Sequence, residues 1–223
     1  GYGIKRGKYA YKVRNLLVRH PNLPKAFEGL KIVQLSDAHL GSFDGTPGPV
    51  LAALEKVNAL KPDVVLFTGD LVNELAEEAE PWVEAFAELD APLGKFSVMG
   101  NHDYADYGPF TQEERLASIA QLKDIQSRMG FSMLDNDHVV WEKDGERMVL
   151  LGVENWGKGF RQSGNLGKAL EGSGAEDAFT VLMSHDPTHY ELEVMNGQAP
   201  VELTLSGHTH MACRWALKSL GLE

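Results

Sequence analysis

Short apolar, β-branched runs alternate along the chain with stretches in which apolar residues recur at helical spacing, the pattern of sheet covered by helices. Strands are predicted at Lys31–Ser36, Asp63–Thr68, Lys95–Met99, Val139–Glu142, Met148–Val153, Thr180–Ser184 and Glu202–Ser206. Between the fourth and fifth lies Asp144-Gly145, a pair suited to the positive φ angles of a tight hairpin, so part of the sheet structure is antiparallel. Val50, Leu54, Val57 and Leu60 outline one core-facing helix ending before Pro62; Trp82, Phe86 and Leu89 outline a second, with Pro81 in its permissive first turn. Thr111 and Glu114 form a capping-box pair ahead of Leu116, Ile119, Leu122, Ile125 and Met129, and Gly130 is the stop signal of this third helix. All three stripes are expected in the core, and the class is α/β.

At 223 residues the chain suits one ordinary domain, and with 43% hydrophobic and 24% charged residues it is neither disordered nor a coiled coil. The net charge of −11 argues against broad binding to a nucleic-acid backbone. That charge is unevenly placed. Residues 1–30 carry Lys5, Arg6, Lys8, Lys12, Arg14, Arg19 and Lys25 against Glu28 alone, so the remainder holds fourteen cations against thirty-one acids. Two readings fit this basic segment: a solvated arm, or a juxtamembrane stretch drawn to anionic headgroups at about 1 kcal/mol per cation. Cys213 is the single cysteine, which rules out an intrachain disulfide, and no run of 18 or more apolar residues is present. The first residue is Gly1, and a membrane anchor ahead of it is expected.

Polar clusters follow five of the predicted strands. They are Asp37-Ala38-His39, Gly69-Asp70, Gly100-Asn101-His102-Asp103, His185-Asp186 and Gly207-His208-Thr209-His210, and they hold five of the eight histidines. If those strands run the same way as neighbours, the clusters meet at one sheet edge, where α/β proteins keep their sites. Imidazole with carboxylate and amide oxygen, and no thiolate, suits a borderline divalent ion such as Mn, Fe or Zn. One aspartate reaching two ions would bridge them, and Asp70 is the candidate. Gly69, Gly100 and Gly207 are read as positions where a missing Cβ permits the turn that aims the next side chain.

The five blocks, in this order over residues 31–210, resemble the calcineurin-like metallophosphoesterases. The phrases Leu35-Ser36-Asp37-Ala38-His39-Leu40-Gly41 and Ser206-Gly207-His208-Thr209-His210 are similar to a bacterial membrane-associated branch containing lipid-precursor pyrophosphatases and broad phosphodiesterases. The resemblance implies an α/β (α+β) fold of two packed mixed β-sheets flanked by helices, a four-layer sandwich with metals at the sheet edge. It implies one ion on Asp37, His39, Asp70 and His210, and another on Asp70, Asn101, His185 and His208. His102 would be a catalytic histidine outside the ligand set, with Asp103 holding its ring in the needed tautomer. The implied reaction is hydrolysis of a phosphodiester, phosphomonoester or pyrophosphate bond by in-line attack of a metal-bridging hydroxide. The substrate would be a phosphorylated small molecule or a lipid-linked one, and no nucleic acid is expected. The alternative is a binding module that kept the scaffold and lost the chemistry.

Other residues have plainer readings. His20, His138 and His189 belong to no motif and are assigned to surface or packing, Asp186 to a turn, and Cys213 to a small apolar position. Glu154-Asn155-Trp156 and Arg161 suit either a pocket wall with a phosphate clamp or ordinary loop packing. After His210 the chain reads Met211-Ala212-Cys213-Arg214-Trp215 where the family continues with a Gly-Met-Gln-like phrase and further strands. Residues 211–223 are therefore expected to be a frameshifted or truncated tail that leaves a sheet edge bare.

Overall fold

The computed structural model describes residues 11–43, 46–159, 161–195 and 199–209, together with the backbone of 214–217. Four short strands form the first sheet in chain order: β1 (Ile32–Leu35), β2 (Val64–Phe67), β3 (Lys95–Ser97) and β4 (Phe131–Met133). Each pairs in parallel with the next, Ile32 opposite Val64 and Lys95 opposite both Val65 and Phe131. This sheet is wholly parallel among the described residues. The connections are crossovers through α1 (Gly48–Ala59), α2 (Val83–Ala87, after a 3-10 turn at Glu80–Trp82) and α3 (Gln112–Arg128), and helical crossovers join parallel neighbours.

The second sheet is mixed and runs β5 (Asp137–Lys143), β6 (Glu146–Gly152), β7 (Phe179–Met183), β8 (Leu203–Ser206) and β9 (Arg214–Leu217). β5 and β6 pair antiparallel over seven residues across the predicted turn, where Asp144 and Gly145 have φ of 53° and 78°. β6, β7 and β8 are parallel, and β9 returns antiparallel beside β8. The tail thus adds a strand beside β8, and β9 is the outermost strand of this sheet among the described residues. The other tail positions, 211–213 and 218–223, lie outside the described residues.

Period-two alternation divides each strand between two cores. Val64 and Leu66 of β2 meet Met148 and Leu150 of β6 and Val181 and Met183 of β7 between the sheets. Val65 and Phe67 face the other way, onto α1, α2 and α3 with Leu54, Phe86 and Ile125. On the far side Val149, Leu151 and Leu182 pack under α4 (Leu166–Leu170) and the π-helical turn Tyr190–Val194. Helices, sheet, sheet and helices thus form four layers. Phe27 is buried in the inter-sheet core, with Val18, Leu23 and Leu30 packed beside it, so the basic segment packs into the core from Val18 onward, and further out the Tyr11 carbonyl accepts from Lys56 Nζ. Just ahead of Val18, Leu16 and Leu17 are 54% and 74% exposed. No helix among the described residues is long and apolar enough to cross a membrane.

Two features depart from the pattern reading. β4 has three residues with Phe131 buried and Ser132 exposed, too short a run to register as a strand. Leu116 is 59% exposed, because the buried stripe of α3 is Ser118, Leu122, Ile125 and Gln126, and at 100° per residue Leu116 falls on the opposite face. Its N-terminus is as predicted: the Thr111 hydroxyl accepts from the Glu114 amide, and Glu114 accepts from the Thr111 amide.

Candidate metal centre

The parallel strands bring their C-terminal ends to one edge of each sheet, and the polar clusters gather there. Backbone hydrogen bonds tie the loops together. The amides of Asp37, His39 and Leu40 donate to the carbonyls of Gly69, Asp70 and Leu71, and the Gly207 amide donates to His185. The two sheets are joined at this edge because the His208 amide donates to both carboxylate oxygens of Asp37, at 3.0 and 3.2 Å.

Four of the predicted ligands have left-handed backbone: Asp37 (φ 53°), His39 (44°), Asp70 (58°) and His208 (68°). Such angles are uncommon outside glycine, and they persist where surrounding structure imposes them, most often at functional sites. The glycines make room for this crowding. A Cβ on Gly100 would run into the Asp70 carboxylate and sit 2.8 Å from the His185 ring; one on Gly69, itself at φ +98°, would sit 2.7 Å from His185 Nδ1; one on Gly207 would strike Ser36 and Asp37.

Asp70 lies at the centre. Its Oδ1 accepts from the His102 amide at 2.9 Å, while Oδ2 stands 3.2 Å from His185 Nε2 and 3.7 Å from His39 Nε2. Donor atoms fall into two groups that share it: His39, Asp70 and His102, and Asp70, His185 and His208. Asn101 Oδ1, 2.8 Å from His208 Nδ1, borders the second group. Asp37 sits beside these groups, its carboxylate on the His208 amide. His210 lies outside the described residues.

Asp70 Oδ2 and His185 Nε2 are buried and face each other at 3.2 Å, and beyond that ion pair no protein group hydrogen-bonds to either. Two buried donor atoms held this close with no other hydrogen-bond partner fit a cation that the protein itself does not supply. Hard oxygen and borderline nitrogen donors without thiolate fit Mn, Fe or Zn. The rings are oriented from behind, as metal-binding histidines usually are. His185 Nδ1 meets the Thr68 carbonyl at 2.7 Å, and His102 Nδ1 meets the Asn73 carbonyl at 2.7 Å.

Charge follows from this packing. Burial works against protonation of His185, but the Asp70 carboxylate beside it outweighs burial and raises it to about 9 in the metal-free protein. Burial pushes Asp70 upward in turn, yet the His185 and His102 rings and the His102 amide hold it below the ordinary carboxylate range. Burial and the Asp70 charge push Asp103 up to about 7, opposed by its backbone donors.

Asp103 does not hold the His102 ring, and that expectation is corrected. Its Oδ2 accepts from the amides of Asp70 and Gly100 and its Oδ1 from those of Leu71 and Val72, at 2.8–3.2 Å. The carboxylate therefore shapes the loop that presents Asp70, and the Asn73 carbonyl takes the part assigned to Asp103. A main-chain acceptor leaves no mark in the residue types. Tyr107 was equally unmarked: its ring lies 4.6 Å from the His102 ring and its hydroxyl 2.7 Å from Asn101 Nδ2.

The remaining assignments resolve toward packing. Arg161 makes two hydrogen bonds to Asp106 and lies over the Tyr104 ring, which makes it a loop clasp. Asn155 is buried, and Glu154 accepts from Asn136. His189 is buried between Ser184 and Glu193, stacked on Trp156, and the His20 ring meets Phe179 edge-on. Asp186 accepts from the Thr188 amide and hydroxyl, the predicted turn role, and also stands 3.7 Å from His208 Nε2. Cys213 lies outside the described residues.

Comparison with known proteins agrees with this architecture. Over 216 residues the chain is 27% identical to the metallophosphoesterase YkuE of Bacillus subtilis (strain 168), covering 94% of this chain and 69% of that protein. It is 45% identical over 91 residues to the UDP-2,3-diacylglucosamine pyrophosphatase LpxG of Chlamydia trachomatis, covering 39% of this chain and 27% of that one. A transmembrane protein with metallophosphoesterase domain from Danio rerio is 29% identical over 94% of this chain and 46% of its own length. The chain thus spans less than half of the last two relatives. Among solved structures, the NAD nucleotidase of Haemophilus influenzae shares the fold with a TM-score of 0.52 at 17% identity, over 81% of this chain and 38% of that one. The calcineurin-like phosphoesterase family model matches residues 30–212, and the chain belongs to that family.

Proposed function

We propose that this phosphoesterase binds two divalent ions, Mn foremost and Fe or Zn as alternatives, and hydrolyses a phosphodiester or pyrophosphate bond, with a lipid-linked nucleoside diphosphate as the leading substrate class. The observation that carries the reading is the buried Asp70 carboxylate shared by two donor groups, with Oδ2 facing both His185 Nε2 and His39 Nε2. One ion would be held by Asp37, His39, Asp70 and His210, the other by Asp70, Asn101, His185 and His208. Bound there, the ions would supply Lewis-acid activation of water and neutralise phosphoryl charge.

The chain's own residues do the rest. Thr68 and Asn73 carbonyls fix the tautomers of His185 and His102, so each ring presents Nε2 to the centre. His102, outside the ligand set, would act as an imidazolium, its Nδ1–H kept by the Asn73 carbonyl while its Nε2–H is given to the leaving oxygen or donated to a phosphoryl oxygen. Asp103 keeps the Asp70 loop in place through four amides. The lipid-linked class rests on the partial similarity to the Chlamydia pyrophosphatase, and the membrane side of the reading on Leu16 and Leu17, exposed among Lys12, Arg14 and Arg19.

Turnover of bis-p-nitrophenyl phosphate, p-nitrophenyl phosphate and a nucleoside-diphosphate lipid tests this. The lipid is expected to turn over fastest. Asp70→Asn should abolish turnover and metal uptake, and His102→Ala should cut turnover about 10²–10⁴-fold while sparing metal. Full activity in both variants would overturn the assignment.

A further inference from the structure

A side-chain amide has two ends of nearly equal shape and opposite chemistry. Its oxygen can ligate a cation and its NH₂ group cannot. Asn101 therefore serves an ion only when its amide is held with the oxygen toward the centre. In the structure Nδ2 donates to the Tyr107 hydroxyl at 2.7 Å, and Oδ1 is turned to His208. The same tyrosine ring packs on His102 at 4.6 Å with an interplanar angle of 34°, while the His39 ring meets His102 edge-on at 4.8 Å. We propose that Tyr107 is a positioning residue of the centre, whose hydroxyl anchors the Asn101 amide beside the Asp70, His185 and His208 group and whose ring braces His102.

Tyr107 is 49% exposed, so its place is not explained by core burial. Its loop is held instead by ionic contacts. Asp106, one residue earlier, is gripped by Arg115 of α3 at 3.2 Å and by Arg161 at 2.9 and 3.0 Å, and Ala105 turns the chain at φ 55°. Arg161, which resembled a phosphate clamp in the sequence, thus serves the loop that delivers Tyr107.

The inference rests on Asn101 being a ligand of one ion, and the test separates the two claims. Metal-free wild type, Tyr107→Phe and Tyr107→Ala are titrated calorimetrically with MnCl₂, and each is melted without metal. Wild type is expected to show two binding events. Tyr107→Phe, which keeps the ring and loses the hydroxyl, is expected to weaken one event by about tenfold and leave the other unchanged, the lower end of the range for outer partners of metal ligands. Its melting temperature without metal should match wild type. Tyr107→Ala should bind ions as Tyr107→Phe does and turn substrate over more slowly, having lost the brace on His102. Wild-type affinity for both ions in Tyr107→Phe would overturn the proposal alone, as would equal weakening of both ions with a lowered melting temperature. A wild type lacking the second event would overturn the two-ion reading and this proposal with it.

Discussion

Gly100→Ala is the sharpest probe of how the centre is built. Gly100 has φ −96° and ψ −178°, a conformation open to any residue, so backbone strain is no obstacle. The obstacle is space. An added Cβ would overlap the Asp70 carboxylate, lie 2.6 Å from the Asp70 amide nitrogen and lie 2.8 Å from His185 Cε1. The amide nitrogen belongs to a loop pinned by Asp103, so it cannot yield without breaking the bonds at Asp70, Leu71 and Val72. Forcing one carbon into such packing costs about 1–3 kcal/mol, and displacement of Asp70 should weaken ion binding about 10–100-fold. Gly48→Ala is the matched control, since no atom lies within 4 Å of its added Cβ. Urea melts with and without MnCl₂ read both effects, because an ion at 100 times its dissociation constant stabilises by about 2.7 kcal/mol. The variant is expected to lose stability without metal and most of the metal-dependent increment as well. A Gly100→Ala protein with wild-type stability and a wild-type increment would refute the reasoning.

Two further expectations follow from other parts of the fold. Leu150→Ala, at a fully buried position between the sheets, should cost about 2–5 kcal/mol in a denaturant melt, and a loss below about 1 kcal/mol would mean that the sheets do not pack there. Arg161→Ala should change kcat/KM less than about fivefold, since partly exposed ion pairs contribute about 0.2–1 kcal/mol and Arg115 still holds Asp106; a loss of 10² or more would restore the phosphate-clamp reading.

The sheets were legible because their chemistry repeats locally. Val64 to Phe67 and Met148 to Gly152 are apolar runs at strand length, and Asp144-Gly145 carries its own turn signal. Strand ends followed by Asp, His and Asn pointed to one sheet edge, and those residues gather there. Failures occurred where the deciding group is main chain or arrives from far away. Asp103 looked like a partner for its neighbour His102, yet amides more than thirty positions earlier claim it. The groups orienting His185 and His102 are the carbonyls of Thr68 and Asn73, and any residue has a carbonyl. Arg161 resembled a free cation until the fold brought Asp106 to it. Three residues of β4 carry too little pattern to stand out from the helix stop before them.

The central claim is that one buried carboxylate serves two cations. Anomalous diffraction from crystals grown with MnCl₂ measures this directly. Two manganese peaks flanking Asp70 are predicted, one toward His39 and the other toward His185 and His208. A well-ordered crystal with no peak at Asp70, or with a single peak that leaves either group empty, would contradict the account.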